Sequence, residues 1–514
     1  MLALPRRAMV RLHPQTRGTR EGPPGMSASS GFRLAKTLGL AAVVASAVTQ
    51  EYGAGINFVV PQSLGVYPGI GALVPLAMFA TGLVIFLKVF LYARFSRAMP
   101  RAGSSYVWTV RALNLPLGFI LHFVWWASIT AAMGFIAFAF GNFLGNAMVN
   151  AGFAAGHLLL SKPGHLVLGL AALWIIYGIH VAGIRDYGRL VVILLALVVV
   201  TALAVGVIGF AADPAALLHT AAARTGIAFA RPAAAPPFDA HAFLAVCTLF
   251  IFAYGGLSGA PALSGETEHA ETVMPRGIVI AWLTSVVLFS LVAAALLHAV
   301  PWWAALDLIR HKHASLVTAP GIIGLAAPRP LAAALDLVIA LIVGKTLAPQ
   351  MVVTSRMLFA WAEDGLIPAR FAETSRRRAP VAALTLTVVL ASLFLVQATY
   401  IGWAFGIVAR SVTILLVWLA VACAALNLRY NPRHASHGWS EPFRRGVMVV
   451  PVALLSIVVT IALIRSVLVL PHAPFYVQPL FQGAVMALIG TALYLRARRV
   501  APGLAAVTAT LPLE

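Results

Sequence analysis

Long apolar runs divide this sequence, and they decide the class of protein that it can form. One of them, residues 190–210, reads LVVILLALVVVTALAVGVIGF and carries no charged residue. A helix needs about 20 apolar residues to cross the hydrocarbon core of a bilayer, and the chain has about twelve such runs. Only 10% of its 514 residues are charged, whereas soluble domains carry roughly 25%. The sequence therefore predicts an all-α polytopic membrane protein.

The charges between the apolar runs predict the topology. The predicted spans are residues 38–62, 68–97, 115–148, 165–184, 188–211, 241–267, 275–300, 331–361, 380–398, 401–427, 447–470 and 475–498. Basic residues concentrate in the amino-terminal tail and in every second loop, and the positive-inside rule makes that side cytoplasmic. We therefore expect both termini on the cytoplasmic side of the inner membrane. The net charge of +21 follows from this topology, so it does not indicate nucleic-acid binding.

The spans and loops also predict how the chain is organised. The expected segments are a disordered cytoplasmic tail (1–36), a first five-helix unit (37–211), an extracytoplasmic loop (212–240), a second five-helix unit (241–427), helices 11 and 12 (428–499) and a cytoplasmic tail (500–514). The loop is rich in Ala and Pro without apolar periodicity, which predicts a surface connection. Met26 is a second candidate for the first residue. Cys247 and Cys423 have no metal-ligand spacing, and we expect no metal or other cofactor.

Two of the predicted spans are interrupted by residues that destabilise helices. Span 6 contains FAYGGLSGAPALSGE at 252–266, and span 1 contains YGAGINFVVP at 52–61. A Gly inside a helix costs about 1 kcal/mol and a Pro about 3, and unsatisfied backbone groups cost more in hydrocarbon. Interrupted helices at matching positions in two halves are typical of secondary transporters built from inverted repeats, with the substrate held at the breaks. The alternative is that these glycines only allow close helix packing.

Four motifs in this chain resemble those of one transporter family. They are GAGI at 53–56, RAGSSYVW at 101–108, the segment 252–278 that begins FAYGG and ends PRGI, and SRMLFAWAEDGLIPARF at 355–371. They resemble the amino acid–polyamine–organocation (APC) superfamily of permeases. The resemblance runs from about residue 38 to residue 427, and the last two spans match only in number. It implies a leucine-transporter-type fold of two inverted five-helix repeats plus two carboxy-terminal helices.

The resemblance also implies where an amino acid binds. In the family, amides at the helix 1 break hold the substrate carboxylate, and carbonyls at the helix 6 break hold its amino group. Carried over, the amides lie around Ala54, Gly55 and Ile56, and the carbonyls around Phe252, Ala253 and Gly255. Phe252 also takes the position of an aromatic lid. The full predicted substrate-binding set is Gly53, Ala54, Gly55, Ile56, Phe252, Ala253, Tyr254, Gly255, Gly256, Ser258 and Gln350.

One departure from the family pattern bears on the substrate. Many relatives carry a Glu two residues after the helix 6 glycine, whereas this chain has Ser258 two residues after Gly256. A cationic substrate that depends on that carboxylate is disfavoured. We therefore expect a neutral or acidic amino acid.

Two charged residues inside the spans are candidates for proton coupling, because charges buried in a membrane are costly and usually functional. Lys345 lies in span 8, near the level at which sodium-coupled members of this fold bind a structural sodium ion. Its ammonium could replace that ion and exchange a proton. Glu51 precedes the helix 1 break by two residues. The alternatives are a structural or interfacial Lys345, and a Glu51 that neutralises a lysine or faces a cytoplasmic vestibule.

These observations predict a secondary active transporter, a proton-coupled amino-acid symporter that works by alternating access, rather than an enzyme. An amino-acid/amine exchanger (antiporter) would use the same fold and site. A channel and an intramembrane serine protease are remote alternatives, the latter with GLSG at 256–259 and Ser258 as nucleophile. Gly344-Lys345-Thr346 lacks the upstream Gly of a phosphate loop, since Ile339 stands there. The expected partners are an amino acid, protons and membrane lipid, and the oligomeric state stays open.

Overall fold

The computed structural model describes residues 34–53, 56, 60–234, 236–251, 253–326, 328–401, 407–468 and 474–512. Within these residues every named element is a helix, and the β-type pairing is confined to an isolated parallel bridge between Leu38 and Thr267. Ten of the described helices are long and apolar enough to cross a membrane. The prediction of an all-α polytopic membrane protein is confirmed.

The described residues contain ten helices long enough to cross a membrane, whereas the sequence predicts twelve spans. The two interrupted spans account for this difference. Span 1 comprises α1a (Leu40–Glu51) and α1b (Val60–Val66). Span 6 comprises α6a (Ala240–Phe250) and α6b (Gly256–Gly259), which continues as a 3-10 segment (Ala260–Glu266). The apolar helices α1a and α6a are too short to cross a membrane alone. Together with their second halves they supply the two remaining spans that the apolar runs predict.

The remaining helices follow the predicted order. They are α2 (Val74–Ala98), α3 (Leu115–Asn150), α4 (Lys162–Ala182), α5 (Ile184–Ala211), α7 (Ala270–Ala299), α8a (Arg329–Lys345) and α8b (Leu347–Glu363), α9 (Val381–Ile401), α10 (Ile407–Tyr430), α11 (Val449–Val467) and α12 (Pro479–Val500). One interrupted helix followed by four longer ones therefore occurs twice, and two further helices follow. The predicted boundaries lie within two helical turns of these.

The loop at 212–240 contains a helix that the apolar pattern does not indicate, Pro214–Thr225. The Asp213 carboxylate accepts a hydrogen bond from the Ala215 amide and caps the first turn. Pro214 occupies the first helical position, where its missing N–H costs nothing. Gly226 adopts the left-handed conformation (φ 72°) that commonly ends a helix. These local signals, rather than apolar periodicity, specify the helix.

The packing separates a buried centre from an apolar outer surface. α7 lies against α1a, α2 and α5, while α3 lies against α8a, α9 and α10. Large apolar side chains such as Ile193, Val207 and Leu488 are more than two-thirds exposed on the outside. Water would make such a surface prone to association, whereas lipid accommodates it. In contrast, α1a is buried along its length from Ala42 to Glu51, so the interrupted helices lie at the centre.

Candidate functional site

The two interruptions lie where the sequence predicts them. α1a ends at Glu51, and Tyr52 leaves the helical conformation with φ −76° and ψ 95°. α6a ends at Phe250, and α6b begins at Gly256. Three predicted binding residues fall outside the described part of the chain: Ala54, Gly55 and Phe252.

Lys345 lies directly against the end of α1a. It is the last residue of α8a and only 5% exposed. Its Nζ atom donates hydrogen bonds to the carbonyl oxygens of Thr49 (2.6 Å) and Tyr52 (2.7 Å). The last carbonyls of a helix lack intrahelical partners and carry negative partial charge. The ammonium therefore stabilises the carbonyl end of the first break, and an interfacial position for Lys345 does not fit this burial.

Glu51 connects the first break to the second. It ends α1a and is 3% exposed, which does not fit a carboxylate facing a water-filled vestibule. One carboxylate oxygen accepts from the Leu257 amide at the start of α6b (3.0 Å), and the other accepts from the Ser285 hydroxyl of α7. A charge-assisted bond to a backbone amide is among the stronger hydrogen bonds. Glu51 thereby ties α1a to the amide end of α6b.

Lys88 of α2 is a buried charge that the sequence analysis missed. It is 2% exposed, and its Nζ donates to the Ser258 hydroxyl of α6b (2.7 Å). The indole N–H of Trp418 donates to the same hydroxyl oxygen (3.2 Å), and the Lys88 ammonium lies 4.3 Å from the centre of that ring. A lysine inside LVIFLKVFLYARF was a visible signal, since the rule that selected Lys345 applies to it equally.

The other described members of the predicted binding set differ in their surroundings. Ile56 is fully buried, and Ala253 is 3% exposed. The Tyr254 hydroxyl donates to the Met78 carbonyl of α2 (3.3 Å), so its polar atom contacts the scaffold. Gln350 of α8b is 2% exposed, and its side-chain carbonyl oxygen has no hydrogen-bond partner among the described residues. Of these residues, Gln350 offers a buried polar atom that a ligand could satisfy.

The glycines at the breaks allow helices to approach closely. A Cβ atom on Gly256 would lie 2.4 Å from the Ala47 carbonyl oxygen of α1a. On Gly53 it would lie 2.6 Å from the Thr346 Cγ2 atom, at the joint between α8a and α8b. Both distances are far below van der Waals contact. The glycines at both breaks therefore allow close helix packing as well as interrupting the helices.

Polar contacts close the end of the molecule that the sequence assigns to the cytoplasm. Arg356 of α8b forms a two-pronged ion pair with Glu266, with N–O distances of 2.5 and 3.1 Å. The amides of Thr37 and Leu38 both donate to the Glu266 carbonyl at 3.0 Å, and the Glu268 amide donates to the Leu38 carbonyl at 3.0 Å. The chain that enters α1a and the chain that leaves α6b are thus joined through their backbones.

Two of the sequence motifs meet at this same end. Arg111 forms two hydrogen bonds of 2.6 Å to the carboxylate of Asp364, and the Tyr106 hydroxyl donates to that carboxylate at 2.5 Å. Tyr106 belongs to RAGSSYVW, and Asp364 belongs to the motif at 355–371, which covers the end of α8b. Arg111 and Asp364 are both nearly fully buried. Bidentate pairs of this type fix orientation as well as adding stability.

Within the part of the chain that the structure describes, no group of three or more His, Cys, Asp or Glu side chains is arranged to hold a metal ion. Cys247 and Cys423 are both unpaired thiols. The buried ionisable groups at the breaks instead contact backbone and hydroxyl groups. Their described contacts are hydrogen bonds to uncharged groups.

Comparison with known proteins bears on these features. A family model described as "Amino acid permease" matches residues 36–492. The branched-chain amino acid permease BcaP of Lactococcus lactis is 24% identical over 400 residues, which cover 73% of this chain and 80% of that protein. A vacuolar cationic amino acid transporter 4 of Arabidopsis thaliana is 26% identical over 412 residues, 78% of this chain and 64% of that protein. A D-serine/D-alanine/glycine transporter of Escherichia coli is 23% identical over 204 residues, 38% of this chain and 42% of that protein.

The match to the family model extends from the entry of α1a to α12, so it includes both breaks and the buried charges beside them, Glu51, Lys88 and Lys345. The resemblance that the motifs carry is thereby confirmed. The chain belongs to the amino acid permease family, within the APC superfamily.

Proposed function

We propose that this protein is a secondary active transporter that moves a neutral or acidic amino acid across the cytoplasmic membrane by proton-coupled symport. The observation that carries the proposal is the matching of buried charge to the ends of two interrupted helices. The Lys345 ammonium meets carbonyls at the first break, and the Glu51 carboxylate meets an amide at the second. Alternating access would rock two inverted five-helix repeats about these breaks, with both termini cytoplasmic.

The amino acid would bind between the breaks through its own backbone groups. The amides around Ala54, Gly55 and Ile56 are proposed to hold its carboxylate. The carbonyls around Phe252, Ala253 and Gly255 are proposed to hold its ammonium. The buried Gln350 oxygen without a described partner supports this placement, because an unsatisfied polar atom is costly unless a ligand completes it.

The balance of buried charge supports a neutral or acidic substrate. Lys88 and Lys345 contribute two positive charges beside the breaks, and Glu51 contributes one negative charge. A cationic amino acid would add to this excess without a carboxylate at Ser258 to meet it. The relatives' printed names include branched-chain, cationic and small neutral amino acids, so the names alone do not choose among substrates.

Lys345 is proposed to take the place of a structural ion, and Lys345 and Glu51 are the proposed carriers of the coupled proton. An ammonium between two carbonyls fills the role that a small cation would otherwise fill at the end of a half-helix. Transport would then need no sodium. The second candidate is amino-acid exchange, which the same site could perform.

Uptake into proteoliposomes tests these proposals directly. Labelled leucine, alanine, glutamate and arginine would each be offered with and without an inward proton gradient, sodium, and unlabelled amino acid inside. We expect saturable uptake of at least one of the first three that follows the proton gradient and ignores sodium. Uptake that requires internal amino acid would replace symport by exchange. Unsaturable flux would replace it by a channel, and no uptake at all would overturn the amino-acid site.

A further inference from the structure

Lys88 is a buried lysine to which the function proposed above gives no part in carrying the proton. An ammonium group has three N–H donors. At Lys345 two carbonyl oxygens accept from it, whereas for Lys88 the described residues supply the Ser258 hydroxyl and the rings of Trp418 and Tyr92. Aromatic faces attract a cation but do not replace hydrogen-bond acceptors. The ammonium of Lys88 therefore has fewer hydrogen-bond acceptors among the described residues than that of Lys345.

A cavity lies beside Lys88, between α2, α10 and α11. It is small and partly open, with room for about one water molecule. Its wall is mostly apolar, and its polar side chains are Lys88, Ser456 and Thr460. The two hydroxyl residues are buried and lie four apart on α11, so they line one face of that helix. A cavity with several polar groups of this kind can hold water, which a purely apolar one cannot.

We propose that Lys88 is a proton-exchanging residue that links the helix 6 break to this cavity on α11. The proposal rests on the transport function proposed above. In the exchange, one N–H bond of the ammonium breaks and its proton forms an O–H bond with a cavity water. The nitrogen keeps the electron pair and becomes a neutral amine, and the reverse step restores the ammonium. α11, which lies outside the two five-helix units, would thus take part in coupling.

Ser258 would convert this proton exchange into a change at α6b. With Lys88 charged, the Ser258 oxygen accepts from both the ammonium and the Trp418 indole, so the hydroxyl proton must point elsewhere. With Lys88 neutral, the amine can accept from the hydroxyl instead. The direction of the hydrogen bond between Lys88 and Ser258, at the first turn of α6b, would then depend on whether Lys88 carries the extra proton.

The groups that face Lys88 determine whether its charged or its neutral form is favoured. Glu51 of α1a bonds the Leu257 amide, next to Ser258, and its negative charge favours the ammonium. Tyr92 faces it from α2 itself, and Trp418 of α10 offers only its ring and its N–H donor. Charged residues of α7, α10 and α11 lie within two turns of those helices' ends: Glu271, Arg276, His298, Arg410, Arg429 and Arg465. Burial with few hydrogen-bond acceptors favours the neutral amine of Lys88, whereas Glu51 favours the ammonium. Because these two influences oppose each other, Lys88 can both bind and release a proton.

The test compares two assays on purified, reconstituted protein. Gradient-driven accumulation measures coupling, and counterflow of the same labelled amino acid without a gradient measures binding and alternating access. Lys88→Met should lower gradient-driven accumulation about tenfold or more, within the usual range of coupling between sites, and leave counterflow within about twofold. Lys88→Arg keeps the charge but cannot release a proton, so it should show the same loss. The matched control is Thr491→Ala on α12, whose hydroxyl donates to the Ala487 carbonyl of its own helix.

The outcomes separate this inference from the transport function. Coupled accumulation by Lys88→Met or Lys88→Arg would overturn it, and so would loss of counterflow in a well-folded Lys88→Met protein. Should the lysine variants not fold, the double variant Ser456→Ala/Thr460→Ala takes their place, and unchanged gradient-driven uptake would overturn the inference. Wild-type protein that performs counterflow but shows no gradient-driven accumulation would overturn the inference while leaving amino-acid transport, as exchange, in place. Wild-type protein that moves no amino acid in either assay would overturn the transport function and the inference with it.

Discussion

The breaks in helix 1 and helix 6 are both enclosed by buried charge, but the charge has a different partner at each. At the first break a lysine contacts backbone carbonyls, which every residue type would supply. At the second break a carboxylate contacts a backbone amide, and a second lysine contacts a side-chain hydroxyl. The first arrangement depends on the path of the chain, and the second depends also on the identity of Ser258. We expect the first to support both the structure and coupling, and the second to tune coupling and substrate choice.

The largest expected effect is at the first break. Lys345→Met removes two charge-assisted hydrogen bonds from the end of α1a, each worth about 1.5–3 kcal/mol. Uptake into proteoliposomes should fall at least about 100-fold, and counterflow should fall with it. Any residual uptake should no longer respond to pH. The control is Lys162→Met, which changes an exposed lysine at the start of α4. Full activity with a normal pH response in Lys345→Met would remove Lys345 from the site.

The next effect measures how tightly the two interrupted helices pack. Gly256→Ala places a Cβ atom against the Ala47 carbonyl oxygen and should destabilise the protein by about 2 kcal/mol. Gly178→Ala on α4 meets no described atom within 4 Å, and it should be neutral or stabilise by up to about 1 kcal/mol. Thermal unfolding in detergent would compare the two. Equal shifts in both variants would show that α1a and α6b are less closely packed than described.

A smaller effect is expected at Glu51. Glu51→Gln keeps the shape and one acceptor for the Leu257 amide but removes the charge, which roughly halves the strength of the bond. We expect a loss of about 1–2 kcal/mol and a five- to tenfold lower rate of gradient-driven uptake. Ser285→Ala removes the other partner and should cost less. A Glu51→Gln protein with wild-type uptake at every pH would leave Glu51 a purely structural role.

The smallest effect is expected at Ser258. Ser258→Ala removes the acceptor shared by Lys88 and Trp418, at a cost of about 1 kcal/mol in stability. Its pH profile of uptake should change more than its unfolding temperature does. Ser392→Ala on α9 is the control, since that hydroxyl bonds the Val388 carbonyl of its own helix. An unaltered pH profile in Ser258→Ala would separate the second break from proton coupling.

The sequence predicted the features that depend on local composition. Apolar runs specified the spans because hydrocarbon excludes charge, and Gly and Pro specified the breaks because they interrupt helical hydrogen bonding. The burial of Lys345 could be predicted for the same reason. Each of these features depends on the residues of a single segment, so the sequence of that segment is enough to predict it.

Other features required knowledge of distant partners. Lys88 lies 170 residues from Ser258 and contacts Trp418 on α10, and no spacing in the sequence brings these three together. Tyr254 belongs to the predicted binding set, yet its hydroxyl bonds to α2, because the side chain's direction depends on how α6 packs. The helix at Pro214–Thr225 was missed for a different reason, since its signals are caps rather than periodicity. The residues at Ala54, Gly55 and Phe252 stay predictions.

The backbone link between the entry to α1a and the exit from α6b has a consequence for how the protein tolerates mutation. Thr37 and Glu268 have exposed side chains, and they contribute to this link only through their amides. Almost every replacement at these positions supplies the same amide, so a substitution scan would find them tolerant. Proline lacks the N–H donor and would be the exception at both. A contact that joins two chain segments through backbone groups can therefore persist while the residues at those positions change.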